Sequence, residues 1–246
     1  MSRHGLFTGL ITLDFIYLVQ DLPDRNQKIV ALDYTLAAGG PATNAAVTFQ
    51  HLGNCATVLG VLGKHPLSRF VEAELQQQNV AVVDLQSNRI DPLPTSSIFV
   101  TQATGDRAVV SLNAVQAQVG EAAIPAHFLS ELDSTVEIVL IDGHQPSVGH
   151  AIAKQAKSCG IPVVVDAGSW KPGFEQILPY ADYVICSANF HPPNTHSADA
   201  VFAYLENLHI PYLAITQGAQ PILWRDRSQS GEIPVAPTQP VDTLGA

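Results

Sequence analysis

Short apolar runs alternate with longer amphipathic stretches along most of the chain. The apolar runs show little alternation with polar residues, which is typical of strands that are covered on both faces in a parallel sheet. The amphipathic stretches carry apolar residues at helical spacing, and glycines that favour a helix stop follow two of them, at Gly53 and Gly160. We predict strands at residues 5–9, 56–62, 136–141, 162–166, 183–186 and 212–216, and helices at residues 42–52, 67–78, 148–159 and 198–208.

Four further segments resemble half-buried strands that arrive in pairs, at residues 15–19, 29–36, 97–101 and 108–112. Thr104-Gly105-Asp106 is a plausible hairpin turn between the last two. Their connections are too short to add them to a parallel sheet, so they are expected to form a small antiparallel β lid beside it. The predicted fold is a single α/β domain over residues 1–246, with three α/β/α layers around a mostly parallel sheet plus the lid.

The composition indicates a globular chain with an acidic surface. Of the 246 residues, 46% are hydrophobic, which excludes an intrinsically disordered chain. The 12 Lys and Arg residues against 22 Asp and Glu residues give a formal net charge of −10. A field of that sign disfavours nucleic-acid binding, and an anionic ligand would need a local positive group or a metal ion.

Neither a membrane segment nor an export signal is expected. No apolar run reaches the ~18 residues needed to span a bilayer. Asp14 interrupts the apolar N-terminal stretch, and no small-residue cleavage site follows it. The three cysteines, Cys55, Cys159 and Cys186, have no CxxC spacing, so we predict buried reduced thiols and a cytoplasmic location.

Polar residues follow several predicted strands, where ligands bind in open parallel sheets. Asp14 stands among apolar neighbours, and it is either a structural carboxylate with buried partners or a ligand-binding group. Gly39 and Gly40 allow a sharp turn into a helix whose first N–H groups point to the same place, and Asn44 offers a donor and an acceptor there. Asp142 ends another strand and is placed to touch a substrate or a phosphate.

These residues carry a resemblance to a known family. The pattern Gly39-Gly40-x-Ala42-x-Asn44 resembles the first signature of the ribokinase-like (PfkB) carbohydrate kinases. Gly9 and Asp14 are similar to the opening strand of that family, and Thr216-x-Gly218 resembles its nucleotide-side strand end. The ending, Val241-Asp242-Thr243-Leu244-Gly245-Ala246, resembles the start of the second signature, DTxGAGD, and its leucine is closest to the ketohexokinase (fructokinase) branch.

The resemblance implies an enzyme that transfers a phosphoryl group from ATP to a hydroxyl of a small sugar, with Mg²⁺ and possible use of K⁺. It also implies roles for individual residues. Substrate binding is expected at Asp14, Gly39, Gly40, Asn44 and Asp142; nucleotide or anion binding at Ser187, Thr216, Gly218, Gly245 and Ala246; and a monovalent-cation site at Asp242 and Thr243. The apolar face and open edges of the lid favour a homodimer through the lid sheets.

One departure from the family pattern concerns the catalytic base. In the family, the base closes DTxGAGD, whereas this sequence stops at Ala246, inside the motif. No residue present inherits the role of the base, so we expect the 246-residue chain to lack phosphotransfer activity, either as a fragment of a longer protein or as a degenerate relative. Two alternatives remain open: a non-catalytic sugar-binding or regulatory protein, and a nucleoside kinase of the adenosine kinase type.

Overall fold

A computed structural model of the chain describes residues 2–237. Seven α-helices and thirteen strands are found in this part of the chain. The strands are β1 (His4–Thr8), β2 (Thr12–Val19), β3 (Asp33–Gly39), β4 (Cys55–Gly60), β5 (Ala81–Asp84), β6 (Thr95–Thr101), β7 (Arg107–Ser111), β8 (Ile138–Ile141), β9 (Val163–Ala167), β10 (Tyr183–Ser187), β11 (Tyr212–Gln217), β12 (Gln220–Asp226) and β13 (Ser230–Ile233). The helices are α1 (Pro41–His51), α2 (Pro66–Gln77), α3 (Ala126–Ser130), α4 (Leu132–Thr135), α5 (Pro146–Ser158), α6 (Phe174–Ile177) and α7 (Ala198–Asn207).

The larger sheet has nine strands in the order β13-β12-β11-β10-β9-β8-β1-β4-β5. The strands from β11 to β5 in this order are parallel to one another, and β12 and β13 add an antiparallel hairpin at one edge. All six strands predicted for this sheet lie in its parallel part. The mostly parallel α/β fold is therefore confirmed.

Helices cover both faces of this sheet because successive side chains of a strand point in opposite directions. Leu6 of β1 belongs to a core that includes Val148 and Ile152 of α5. The next residue, Phe7, belongs to a second core, with Ala42 and Ala46 of α1. The predicted three layers are thus formed, with two hydrophobic cores separated by the sheet.

The smaller sheet is the predicted lid, and its strand order is β3-β2-β6-β7. Two of its three strand pairs are antiparallel, as expected, whereas the central pair of β2 and β6 is parallel. The reason lies in the connections. Since β2 follows β1 and β6 follows β5 of the parallel sheet, both lid strands leave the larger sheet in the same direction.

Two local predictions are corrected by the structure. The second lid strand was predicted at residues 29–36 but begins at Asp33, because Val30 and Leu32 lie exposed in the preceding loop. Cys186 is buried, as predicted, whereas Cys55 is exposed at the amino end of β4. Between residues 2 and 237, no helix combines the length and apolar character that crossing a bilayer requires.

Candidate active site

Glycines bring the carboxyl ends of three neighbouring strands into close contact. Gly9 follows β1, and a Cβ atom there would overlap the carboxylate of Asp142 at the end of β8. A Cβ atom on Gly60, the last residue of β4, would lie 2.7 Å from the Gly9 carbonyl oxygen. The absence of a side chain at Gly9 therefore makes room for a buried carboxylate at this edge of the sheet, and its absence at Gly60 lets β4 approach the loop after β1.

Asp142 uses that carboxylate to hold three backbone segments together. Its Oδ2 accepts hydrogen bonds from the N–H groups of Leu10 (2.9 Å) and Ala42 (3.1 Å), and its Oδ1 accepts one from His144 (2.9 Å). The residue is 1% exposed. It thus joins the loop after β1, the first turn of α1 and its own loop. Its oxygens are engaged by the protein itself, which favours a positioning role over the predicted contact with substrate.

The start of α1 is also occupied by the protein. Pro41 has no N–H group, the Ala42 N–H donates to Asp142, and the Thr43 hydroxyl donates to the Leu10 carbonyl at 2.9 Å. Gly40 makes the turn possible, because its φ is 104° and a Cβ atom would overlap the Leu10 carbonyl oxygen. Of the first N–H groups, which were predicted to face a ligand, that of Ala42 is therefore bound to Asp142, while the Thr43 hydroxyl fixes the helix to the β1–β2 loop.

Asp14 of β2 has a different environment. It is 8% exposed, and within the described part of the chain its Oδ1 has no hydrogen-bond partner. Burial raises the pKa of the Asp14 carboxyl, Glu74 adds to the rise, and the hydroxyls of Ser96 and Thr12 oppose it. A Cβ atom on Gly39 would overlap this carboxylate. The chain thus keeps a buried acid with hydrogen-bonding capacity that the residues described by the structure do not fill.

A cavity of about 260 Å³ opens beside Asp14, between β2, β3, α1 and α2. Asn44 of α1 lines it together with Asp14, so two of the predicted sugar-binding residues share one space. Glu74 of α2 lines the opposite wall, and its Oε2 accepts a hydrogen bond from the Ala38 N–H at 2.6 Å. Sequence reasoning missed Glu74. The available signal was a charged residue next to Leu75 on the buried side of α2.

The predicted nucleotide-binding residues lie together at the ends of β10 and β11. Ser187 and Thr216 are register partners. The Ser187 hydroxyl donates to the Gly168 carbonyl at 2.6 Å, and the Thr216 hydroxyl donates to the Cys186 carbonyl at 3.3 Å. Gly218 makes the turn into β12 with φ of 61° and open space around it. Since β10 is two strands from β8, this group lies about 10 Å from the end of β8.

A mixed-charge cluster lies between these two groups. We call Asp142, His144, Asp166 and Lys171 the edge cluster. Burial raises the pKa of the Asp166 carboxyl to about 6, with a further rise from Asp142 and a fall from Lys171. Burial also lowers the pKa of the Lys171 ammonium and that of the His144 imidazole. Asp166 and Lys171 were not predicted, although Asp166 stands at the carboxyl end of a predicted strand, where ligand-binding residues are expected.

The edge cluster also affects a neighbouring thiol. Burial, and to a lesser degree the Asp166 carboxylate, raise the pKa of Cys186 to about 12. This thiol is therefore protonated at neutral pH, so it lacks the thiolate form that acts as a nucleophile.

Four predicted site residues, Asp242, Thr243, Gly245 and Ala246, lie outside the described residues. In the described range 2–237, no group of three or more His, Cys, Asp or Glu side chains is arranged to hold a metal ion.

Comparison with known proteins adds to this geometry. Residues 4–246 match the family described as pfkB family carbohydrate kinase. A ribokinase from Bacillus subtilis (strain 168) is 23% identical over 255 residues, covering 99% of this chain and 82% of the relative. A shorter match, 26% identical over 109 residues, relates 44% of this chain to 37% of a ketohexokinase from Mus musculus.

Solved structures agree with the fold. The Arabidopsis thaliana ribokinase complexed with ribose and ATP superposes with a TM-score of 0.73 at 19% identity, covering 96% of this chain and 79% of that one. This likeness shows that the two chains share a fold.

Proposed function

Since the chain belongs to the pfkB family of carbohydrate kinases, we propose that its site serves the ATP-dependent phosphorylation of a hydroxyl group on a small sugar. The observation that carries this proposal is Asp14, a buried carboxylate with one oxygen that has no partner among residues 2–237, beside a cavity that Asn44 also lines. A buried acceptor without a partner costs free energy. A sugar hydroxyl that donates to this oxygen would remove that cost.

Asp14 and Asn44 would then position the acceptor. The carboxylate accepts hydrogen bonds from sugar hydroxyls, and the Asn44 amide both donates and accepts. Gly39 lets the backbone approach the Asp14 carboxylate closely, and Gly40 supplies the turn that brings α1 to it. Asp142 supports the same arrangement by fixing the first turn of α1.

The nucleotide would bind on the other side of the edge cluster, at Ser187, Thr216 and Gly218. Two hydroxyls and an open glycine turn fit this role, because they offer polar contacts without a side chain that blocks close approach. ATP would supply the phosphoryl group. Mg²⁺ is usually held by one or two carboxylates together with the phosphates of its nucleotide, so it would arrive with ATP. Asp242 and Thr243 would bind K⁺.

The lid sheet supports the proposal of a homodimer. In the described part of the chain, its edge strands β3 and β7 each pair on one side only. Tyr34, Val110 and Leu112 are more than half exposed on or next to these strands. Pairing with a second copy would cover apolar side chains and open edges together. We place this kinase in the cytoplasm, in line with its free cysteines.

The proposal is tested by sugar binding to Asp14→Asn and Asp14→Ala, measured by titration calorimetry with a panel that includes ribose, fructose and adenosine. A hydrogen bond to a charged group contributes about 1.5–3 kcal/mol, so we expect sugar affinity to fall roughly 10- to 150-fold while ATP affinity stays within twofold. Asp33→Asn, at the start of β3, is the matched control and should bind sugar like the wild-type chain. Unchanged sugar affinity in both Asp14 variants would show that Asp14 is structural.

The same titrations separate the alternatives. Adenosine binding in place of a sugar would identify a nucleoside kinase. Preference for fructose over ribose would support the ketohexokinase branch. The 246-residue chain is expected to lack phosphotransfer activity, so the formation of sugar phosphate, rather than its absence, is the result that would exclude a non-catalytic binding protein.

A further inference from the structure

The edge cluster contains one cation placed between the sugar side and the nucleotide side of the site. Ile141 of β8 and Val165 of β9 are register partners, so the next residues, Asp142 and Asp166, stand side by side where these strands end. Lys171 lies in the loop that follows β9. This loop is tied to β10, because the Ser187 hydroxyl donates to the Gly168 carbonyl at 2.6 Å. Lys171 is thus carried by the segment that borders the proposed nucleotide site.

Lys171 keeps hydrogen-bonding capacity. Its Nζ donates to the Ser169 carbonyl at 3.3 Å and lies 5.3 Å from the centre of the Phe174 ring. Within residues 2–237, no carboxylate oxygen lies within 4 Å of this nitrogen. An ammonium group has three donors, so at least one remains for a ligand. Among the lysines of the described chain, a direct ion pair with a carboxylate is formed by Lys157, with Asp182.

The loop that carries Lys171 is held in place by aromatic packing. Trp170 lies against Phe174, Phe190 and Tyr204, with ring centres 5.7–5.9 Å apart. Phe174 and Phe190 are themselves in edge contact and buried. A side chain on a fixed loop loses less conformational entropy when it binds a ligand, because much of the ordering is already present.

The charges around Lys171 are mostly negative, and they would repel an anionic ligand. The chain has a net charge of −10, and the edge carries Asp142 and Asp166 next to the space where phosphates would lie. An anion approaching these two carboxylates is repelled unless a positive group stands nearby. The charge of Lys171 acts on both carboxylates without a direct ion pair to either. Lys171 therefore offsets this repulsion and remains available.

We propose that Lys171 binds the phosphoryl oxygens of an anionic ligand at the edge between β8 and β10. This assignment rests on the proposed function and extends it by naming a residue that would hold the phosphoryl oxygens by charge and hydrogen bonds. The ligand chemistry has two possible sources, the nucleotide or a sugar that already carries a phosphate. A lysine binds phosphate as a point charge with several donors, so it can bind the phosphate of a nucleotide or that of a sugar phosphate.

The test compares Lys171→Met and Lys171→Arg with Lys154→Met, an exposed lysine of α5, as the matched control. Titration calorimetry with ATP and Mg²⁺, inorganic phosphate, a sugar phosphate and a neutral sugar gives the affinities. We expect Lys171→Met to lower the affinity for ATP and for inorganic phosphate at least tenfold, while the affinity for the neutral sugar stays within twofold. The variant should also show a weaker dependence of anion binding on salt concentration. Lys171→Arg should recover part of the loss, and Lys154→Met should match the wild type.

The remaining outcomes decide between sources and between hypotheses. If Lys171→Met loses affinity for the sugar phosphate but not for ATP, the phosphate that Lys171 binds belongs to the sugar rather than to the nucleotide. If the wild-type chain binds phosphate but neither ATP nor any sugar, the proposed kinase function is wrong. Phosphate binding by Lys171 would then still stand, provided that Lys171→Met weakens it. Equal anion affinities in the wild type and both Lys171 variants, or no anion binding by the wild type, would overturn that role. If Lys171→Met unfolds, as judged by circular dichroism, Lys171→Gln takes its place under the same criteria.

Discussion

Three aspartates, one on the lid strand β2 and two at the carboxyl ends of β8 and β9, have three different environments. Asp142 is fully buried and accepts three backbone hydrogen bonds. Asp14 is buried with one oxygen unpartnered inside the described chain. Asp166 is partly buried beside Asp142 and Lys171, and its carboxyl has a pKa of about 6. The same side chain thus serves as a structural anchor, a candidate ligand acceptor and a group that titrates near neutral pH.

The raised pKa of Asp166 links folding stability to pH. The folded protein holds this proton more tightly than the unfolded chain, in which the carboxyl has its ordinary pKa of 3.8. The resulting stabilisation is complete below about pH 4 and is lost as the pH rises through about 6. A shift of this size corresponds to at most about 3 kcal/mol.

Asp166→Asn should therefore remove part of the pH dependence. We expect the variant to melt at a higher temperature than the wild type at pH 8, with a smaller difference at pH 5, in thermal unfolding followed by circular dichroism. Asp33→Asn is the control, because Asp33 is exposed and its loss should leave the profile unchanged. Parallel profiles for the wild type and Asp166→Asn would contradict the assignment of this pKa.

At the scale of elements, the start of α1 depends on a residue a hundred positions away in the sequence. The helix has no side-chain cap of its own, and Asp142 of the β8–α5 loop supplies the acceptor for the Ala42 N–H. The same carboxylate binds the loop after β1. One buried carboxylate therefore fixes both the carboxyl end of β1 and the start of α1. A shift of this group would move Asp14 and Asn44 together.

Asp142→Ala should destabilise the fold severely. Three N–H groups would lose their acceptor, and each buried unsatisfied donor costs about 1–3 kcal/mol. The total is comparable with the roughly 5–15 kcal/mol by which a domain is stable. Urea unfolding should show a free energy of unfolding at least 3 kcal/mol lower than that of the wild type.

Asp226→Ala is the matched control for this change. Asp226 also accepts N–H groups, from Ser228 and Gln229, but in the exposed turn between β12 and β13. Water can replace a lost acceptor there, so we expect a much smaller change in stability. An equal loss in both variants would show that the burial of Asp142 is not what makes it important.

The elements that could be predicted from the sequence are those whose pattern is local. The long apolar strands and the four amphipathic helices were found within a few residues of their ends. The short strand β5 was missed because it has only four residues, and the hairpin of β12 and β13 was missed because polar residues interrupt its strands. The parallel pairing of β2 with β6 was missed because the direction of a strand is set by its connections rather than by composition.

The candidate site was predictable to a similar extent. Asp14 and Asn44 stand in recognisable patterns, and the structure places both at one cavity. Lys171 follows no strand directly, and its setting depends on the register of β8 with β9 and on the Ser187 hydrogen bond. The engagement of Asp142 by three N–H groups depends on three distant segments. Such arrangements arise only when the chain has folded, so sequence pattern alone does not reveal them.

At the scale of the whole molecule, the lid stands beside the larger sheet, and neither of its edges is paired with another strand among residues 2–237. Val110 on the edge strand β7 is 70% exposed. If the proposed homodimer forms through the lid, Val110→Lys should place a charge in the contact and raise the dissociation constant at least tenfold. Leu52→Lys, at the end of α1, which packs on the larger sheet, replaces a similarly exposed residue and serves as the control.

Light scattering over a range of concentrations gives the measurement. We expect the wild type and Leu52→Lys to have dimeric mass at micromolar concentration, and Val110→Lys to have monomeric mass. A wild-type chain that is monomeric there would refute the dimer, and a dimer unaffected by Val110→Lys would place the contact elsewhere.

The parallel pairing of β2 and β6 also determines the order in which the protein can be assembled during synthesis. Because α1, β4, α2 and β5 all lie between these strands in the chain, the β2–β3 ribbon leaves the ribosome long before its inner partner exists. Translation adds about 5–20 residues per second, so the free edge of β2 waits roughly 4–15 s. During that interval the newly made β2 edge is open to pairing with another nascent chain, and codon speed between residues 19 and 95 becomes a determinant of yield.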